Sequence, residues 1–180
     1  MSLISYNELC ELVERNVIEG VDLKDVNGTS IDVHLGPDIL YEDILTKNPV
    51  SLRDKQSLGM HRTNISGSYF DMGPGAFILA HTVEKFNLPA DISAEYKLNS
   101  SGARIGLENA LATWCDPHWH GSVLTLELKN LTQWHVIRLH HGCRIGQMIF
   151  HRSEPVPKER GYAVRGRYCN DTTVQGVKAG

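Results

Sequence analysis

The sequence lacks the features of a membrane, secreted or nucleic-acid-binding protein. No apolar run approaches the ~20 residues that a membrane-spanning helix needs. Residues 1–8 hold no basic region and no long apolar stretch, so we expect no signal peptide. Lysine and arginine total 18 against 21 aspartates and glutamates, and the net charge is −3. This balance disfavours a nucleic-acid partner or an anionic membrane surface.

Cysteine is also scarce, and the common cofactor motifs are missing. Only four cysteines occur, and none forms a Cys-x-x-Cys pair, which favours reduced thiols and a cytoplasmic location. There is no Walker loop, Gly-x-Ser-x-Gly elbow or dinucleotide fingerprint. The His-x-Glu and Pro-Cys-x-x-Cys pattern of zinc-dependent deaminases is absent as well. His118 and His120 would need further ligands to hold zinc, so we expect no metal held by protein side chains.

The length, composition and apolar pattern of the sequence predict one domain with a mainly β fold and a short N-terminal helix. The chain has 180 residues, of which 41% are hydrophobic, enough for one core. Ser5 and Glu8 match a capping box, and Gly20 marks the end of the predicted helix. Residues 46–68 are polar and receive no assignment. Short apolar or alternating runs predict strands at 30–35, 76–82, 92–98, 107–113, 122–129, 135–139 and 145–151, typical of an antiparallel sandwich, jelly roll or barrel.

The composition changes near residue 155. Residues 156–180 carry five basic and two acidic side chains and few large apolar ones. Such a segment buries little surface alone, so we expect it to be mobile. It is either a solvated tail or a cationic flap that closes over phosphates. We therefore divide the chain into a β domain, residues 1–155, and a flexible C-terminal segment, residues 156–180.

Two segments carry candidate chemistry. Residues 99–107 place two hydroxyls, a glycine and Arg104 before a strand, which suits an anion site or an ordinary capped turn. In residues 122–130 the period-two pattern puts three leucines on one face and Glu127 on the other. Glu127 then faces either solvent or a pocket. In a pocket, burial would raise its pKa and make it a candidate proton shuttle.

Six short motifs stand in a fixed order along the chain: Asp-Val-His-Leu-Gly at 32–36, Leu-Pro-Ala-Asp at 88–91, Ser-Ser-Gly-Ala-Arg-Ile-Gly-Leu at 100–107, Asp-Pro-His-Trp-His-Gly at 116–121, Glu127, and Arg-Ile-Gly-Gln-Met-Ile-Phe at 144–150. Taken in this order, they resemble the dCTP deaminase family of the dUTPase superfamily. The resemblance implies a distorted β-barrel or jelly roll that assembles as a homotrimer with active sites shared between subunits. It also implies a hydrolase acting on the C–N bond of a cyclic amidine, which converts dCTP to dUTP and ammonia without zinc. Mg²⁺ would bind only through the nucleotide phosphates.

The same resemblance implies roles for single residues. Glu127 would be the proton shuttle, Ser100 would orient the attacking water, and Arg104 would supply positive charge. Backbone groups of residues 111–113 would read the pyrimidine edge, and the C-terminal segment would close over the nucleotide. The expected substrate-binding residues are Ser101, Leu111, Ala112, Thr113, Asp116, Gln147, Tyr162, Arg167 and Gln175.

Departures from the family pattern leave alternatives open. Asn99 stands where the family has an arginine, which removes one phosphate contact and permits a monophosphate or a base-modified cytosine nucleotide as substrate. Asp116 could support a second step from dUTP to dUMP, and its register is uncertain by one residue. A dUTPase-like pyrophosphatase and a non-catalytic nucleotide-binding trimer are the other candidates. The sequence does not distinguish one activity from two, nor show whether dTTP inhibits.

Overall fold

A computed structural model describes residues 2–110 and 112–178 as a mainly antiparallel β structure. Three short helices accompany the strands: α1 at Tyr6–Glu14, α2 at Ser100–Arg104 and α3 at Tyr162–Arg165. No helix in the described part of the chain is long and apolar enough to cross a membrane. The strands, β1 to β13 in chain order, are Ser2–Leu3, Ile18–Glu19, Ile31–His34, Asp38–Glu42, Met60–Asn64, Tyr69–Met72, Phe77–Asn87, Ile92–Leu98, Leu107–Asn109, Trp114–Cys115, His120–Asn130, Ile137–His140 and Arg144–Arg152.

The strands form two large sheets and one ribbon. The first sheet has the order β1-β13-β8-β10, with β3 also paired to β13, and the second has the order β5-β4-β7-β11-β9, with β2 also paired to β7. Strands β6 and β12 form the ribbon. The prediction of a mainly β fold with a short N-terminal helix is confirmed. Among the described residues the sheets stay separate, so hydrogen bonding does not run around a closed barrel.

The core lies between the sheets, where the alternating strands turn their apolar faces toward each other. In β3, Ile31 and Val33 are fully buried while the residues between and after them are half-buried, as period two requires. Ile78 and Ala80 of β7 and Leu126 and Leu128 of β11 are buried in the same way. Strands β7 and β11 run side by side for eleven residues each and form the wall on which the site is built.

Two details of the N-terminal helix prediction are wrong. The helix ends at Glu14, well before Gly20, because Asn16 takes a left-handed conformation with φ 55° and turns the chain into β2. Ser5 is the N-cap by position, but its side chain makes no capping hydrogen bond. Glu8 is used elsewhere, since Arg152 Nε donates to its carboxylate at 2.8 Å. This ion pair, distant in sequence, replaces the capping box.

The strand prediction misses β4, β5 and β6 and the two-residue strands β1, β2 and β10, and several boundaries differ. Residues 38–42 and 60–64 pair with each other, and 38–42 also pairs with β7, so of these two strands 60–64 is the one at the edge of the second sheet; its sequence is mainly polar. The predicted strand at 107–113 ends at Asn109. The predicted strand at 135–139 begins later, at Ile137.

Candidate active site

A cavity of about 400 Å³ opens beside β11, between the second sheet and the C-terminal segment. It is lined mostly by apolar and aromatic side chains with a few polar groups, the composition typical of a small-molecule site. Strand β11 contributes Val123, Leu124, Thr125 and Glu127 to it, because a register shift between Val123 and Thr125 turns Leu124 into the cavity as well. The other lining residues are Ser57, Leu58, Met60, Phe77, Leu79, Ala112, Trp114, Cys115, Trp119, Tyr162, Tyr168, Asp171, Gln175, Gly176 and Val177.

Glu127 is the acid that β11 places in this cavity. It lies opposite Leu79 of β7, and Leu79 also lines the cavity. Burial raises the pKa of Glu127 to about 7, and a hydrogen bond from its own backbone amide opposes only part of this effect. A carboxyl group with a pKa near neutrality gives and takes protons readily at pH 7. Glu127 therefore has both the location and the acidity of a proton shuttle.

Two tryptophan rings form part of the wall of the same cavity. Trp119 stacks on Phe86 with ring centroids 5.4 Å apart, which fixes the indole between the core and the cavity. Its Nε1 donates to the backbone oxygen of Tyr168 at 2.6 Å, so the same side chain holds the C-terminal segment. Trp114 lines another part of the cavity and donates from Nε1 to Asp116 at 3.0 Å. Flat rings at these positions suit a planar base.

The C-terminal segment covers the cavity through specific hydrogen bonds. The amide of Val123 donates to the backbone oxygen of Asp171 at 2.9 Å, which joins the segment to β11. Arg62 of β5 donates to Thr173 Oγ1 and to the Val174 oxygen, both at 3.0 Å. Val174 is fully buried. Gln175 follows these residues and lines the cavity wall, and so does Tyr162, whose amide donates to the Pro117 backbone oxygen at 3.0 Å.

The charged groups on the cavity wall are acidic in the part of the chain that the structure describes. Among the described residues, no lysine or arginine lines it, and two carboxylates do, those of Glu127 and Asp171. A triphosphate carries several negative charges and requires cationic or amide donors. The cavity of a single chain therefore suits an uncharged, planar group, and an anionic part of a ligand would need donors outside it.

Ser100 and Arg104 lie outside this cavity. They belong to α2, where the Asn99 side chain accepts from the Gly102 amide at 2.6 Å and caps the helix. Arg104 donates to Ser100 Oγ at 3.2 Å, and both residues are exposed. Arg104 instead lines a second, shallow hollow together with Ile105, Gly106, Thr132, His135, Val136, Ile137 and Arg138.

The other residues predicted to bind substrate fall into two groups. Ala112 lines the cavity, whereas Leu111 lies outside the described residues. The cavity wall does not include Ser101, Thr113, Asp116, Gln147 or Arg167. Ser101 and Asp116 are exposed, Gln147 accepts from Ser30 Oγ at 2.9 Å, and Arg167 donates to the Lys178 backbone oxygen at 3.0 Å.

Several residues that line the cavity were not predicted from the sequence. Phe77 and Leu79 were assigned to a strand, but nothing in the period-two pattern shows which face meets a cavity. Ser57 and Leu58 come from the polar stretch that received no assignment. Asp171 lies in the C-terminal segment and carries no local motif. Its hydrogen bonds to Val123 and Ser122, both distant in sequence, bring it to the site.

The chain was compared with known proteins. A sequence model of the family described as dCTP deaminase-like matches residues 3–153. A protein of Aquifex aeolicus named "dCTP deaminase, dUMP-forming" is 34% identical over 169 residues, covering 92% of this chain and 88% of that protein. A protein of Hydrogenobaculum with the same name is 32% identical over 141 residues, covering 78% and 76%.

A solved structure has the same fold. The crystal structure of 2′-deoxycytidine 5′-triphosphate deaminase from Agrobacterium tumefaciens aligns with a TM-score of 0.67 at 18% identity, over 84% of this chain and 48% of that one. This chain therefore spans about half the length of the Agrobacterium protein. At this identity the likeness concerns the fold alone.

Proposed function

Because this chain belongs to the dCTP deaminase-like family, we propose that it hydrolyses the C4 amino group of a deoxycytidine nucleotide, with dCTP as the substrate. The observation that carries the proposal is the placement of Glu127 in an aromatic cavity where burial raises its pKa to about 7. A pyrimidine ring held between the aromatic walls presents its C4 edge to this carboxyl group.

The reaction needs one group that moves protons among three positions. The ionised Glu127 takes a proton from water while the water oxygen bonds to C4, and it passes that proton to N3 of the ring. It then takes the proton of the new C4 hydroxyl and gives it to the amino nitrogen as the C4–N bond breaks. Ammonia leaves, the uracil carbonyl forms, and the carboxylate ends in its starting state.

The remaining groups come, in this proposal, from a second copy of the chain. Ser100 and Arg104 are exposed on α2, and the cavity has no cation of its own among the described residues. Near α2 and its hollow, Trp134 is 83% exposed, and Ile105 and Val136 are also exposed. Exposed apolar surface of this kind marks an interface. A homotrimer that buries this face would bring Ser100, Arg104 and Ser101 of one subunit to the cavity of its neighbour.

In such a trimer each of these residues would have a separate role in binding or catalysis. Ser100 would orient the attacking water, and backbone groups of residues 112 and 113 would read the pyrimidine edge. Arg104 and Ser101 would bind the phosphates, with Mg²⁺ entering as part of the substrate on the phosphate oxygens. Tyr162 and Gln175 would close the site from the C-terminal segment, for which their position on the cavity wall is the support.

A second step, from dUTP to dUMP and diphosphate, is the other candidate activity. The names of the Aquifex and Hydrogenobaculum relatives favour it. Asp116 is the residue assigned to this step, and it is exposed beside Trp114. Incubation with dCTP and Mg²⁺ separates the cases. Ammonia with dUTP indicates deamination alone, ammonia with dUMP indicates both steps, and no ammonia contradicts the proposal.

A subunit-mixing experiment tests the shared site. Glu127→Gln and Arg104→Ala are each expected to remove deamination. If the two residues of one site come from different chains, unfolding and refolding a 1:1 mixture restores about a quarter of the sites. If one chain supplies both, the mixture stays inactive. Each variant refolded alone is the control.

A further inference from the structure

His118 lies in the turn between β10 and β11 and contacts the first part of the C-terminal segment. Its Nε2 donates to the backbone oxygen of Val156 at 3.0 Å. A carbonyl oxygen can only accept, so this contact places a proton on Nε2. The amide of Val156 donates to the Ala90 oxygen at 2.8 Å. Both backbone groups of Val156 are therefore bonded to the β domain, and the segment begins at a fixed point.

The same imidazole ring packs against Gly161, which is buried. A Cβ at Gly161 would overlap Cδ2, Cγ and Cβ of His118, so the ring can come this close only to a glycine. A single 3₁₀ turn at Lys158–Arg160 lies between the two contacts. One side chain thus holds residues 156–161 at both ends.

His118 makes these contacts from an uncommon backbone conformation. Its φ is 68°, in the left-handed region that residues other than glycine rarely adopt. Its amide donates to the Leu88 oxygen at 3.1 Å, and its own oxygen accepts from His120 Nδ1 at 3.0 Å. A residue keeps such a conformation only where its surroundings determine it, and such positions cluster at functional sites. This backbone directs the imidazole toward the C-terminal segment.

Tyr162 is the cavity residue whose position depends on these contacts. It follows Gly161 directly, begins α3 and lines the cavity. Its amide donates to the oxygen of Pro117, the residue before His118, at 3.0 Å. Its ring lies against Gly166, where a Cβ would overlap the ring carbons. The turn at residues 117 and 118 therefore determines where Tyr162 enters the cavity wall.

We propose that His118 is a positioning residue for substrate binding, which holds residues 156–161 so that Tyr162 stays on the cavity wall. This inference rests on the proposed function, in which Tyr162 closes the site. His118 is not among the described residues that line the cavity, so it acts through Tyr162. Without the imidazole the segment is closed in a smaller fraction of molecules, and the apparent affinity for the nucleotide falls by that fraction. The chemistry at Glu127 is unchanged, so KM rises while kcat is kept.

Two variants of His118 and one control test this role in the deamination of dCTP. His118→Gly removes the ring and adopts the left-handed backbone without strain, so KM should rise about tenfold with little change in kcat. His118→Gln places an amide donor where Nε2 stood and should recover part of that loss. His141→Gly, at an exposed histidine in the turn between β12 and β13, should leave KM unchanged.

A double variant and a protease test whether His118 acts through Tyr162. In a Tyr162→Ala background, His118→Gly should raise KM no further, because the contact that His118 positions is already lost. Trypsin cleaves after lysine and arginine, and Lys158 and Arg160 lie exposed within the held stretch. The rate of cleavage there, measured without substrate, should rise about tenfold in His118→Gly, because it follows the fraction of open segment.

The inference is overturned if His118→Gly binds dCTP with the KM of the wild type, or if His118→Gln is as impaired as His118→Gly. It is also overturned if the effects of His118→Gly and Tyr162→Ala on KM multiply, or if His118→Gly lowers kcat and the melting temperature without raising KM. Failure of the proposed function looks different, since the wild type would then release no ammonia from dCTP. The tryptic cleavage would still show whether His118 holds residues 156–161.

Discussion

Replacing Glu127 with glutamine should stabilise the protein above neutral pH while it removes the activity. The carboxyl group has a pKa of about 7 in the folded chain against an ordinary value of 4.5, and burial is the cause. A raised pKa means that the folded state holds its proton more tightly than the unfolded state does. The stability that this proton contributes is complete below pH 4.5 and is lost as the pH rises through about 7.

The size of the effect follows from the two pKa values. One pKa unit corresponds to about 1.4 kcal/mol, so the difference between 4.5 and about 7 amounts to about 3 kcal/mol. Glutamine has nearly the same shape and no charge. The free energy of unfolding of Glu127→Gln should therefore match that of the wild type near pH 4.5 and exceed it by about 3 kcal/mol at pH 8.

Urea denaturation at a series of pH values measures this difference directly. Protein concentration is held constant, because self-association changes apparent stability. Other titrating groups, such as the buried Glu84 whose pKa is also raised by burial, are present in both proteins and cancel. Glu14→Gln, an exposed position at the end of α1, is the matched control and should not reproduce the curve. A difference that stays flat from pH 4.5 to pH 8 would refute the burial of Glu127.

Three further predictions concern the same site and the segment that covers it. The kcat/KM of deamination should fall about tenfold per pH unit below pH 7, because the ionised Glu127 starts the reaction, and a rate independent of pH from 5 to 8 would contradict this. Gly161→Ala should destabilise the protein by about 1–3 kcal/mol, since a Cβ there would overlap the His118 ring. In the double variant Gly161→Ala/His118→Gly the alanine should no longer lower the melting temperature. If the effects of the two substitutions on the melting temperature simply add, the contact between residues 161 and 118 is refuted. Arg62→Ala removes the bonds to Thr173 and Val174 and should raise KM about tenfold with little change in the melting temperature, whereas a lowered kcat at unchanged KM would contradict a covering role.

The local sequence pattern predicted those strands and the helix whose apolar residues recur with a period of two or 3.6 residues. The alternation in residues 122–130 predicted Glu127 on the face opposite three leucines. Leu126 and Leu128 are buried on that face, but the register shift between Val123 and Thr125 turns Leu124 into the cavity with Glu127. The capping box failed because Arg152, distant in sequence, pairs with Glu8. Strands β4 and β5 were missed, and they form because they pair with each other and β4 also pairs with β7. In each case a contact between distant residues overrode the local preference.

The burial of Glu127 could not be predicted from the sequence pattern. The sequence pattern of an amphipathic strand is the same whether its polar face is exposed to solvent or lines a cavity, because the alternation of apolar and polar residues shows only that one face is buried. The C-terminal segment, Trp119 and β7 had to pack together before Glu127 was enclosed and its pKa rose. The sequence by itself therefore determines that an acid stands at position 127. Its raised pKa, and the presence of Asp171 on the wall of the same cavity, depend on burial and on packing between distant residues.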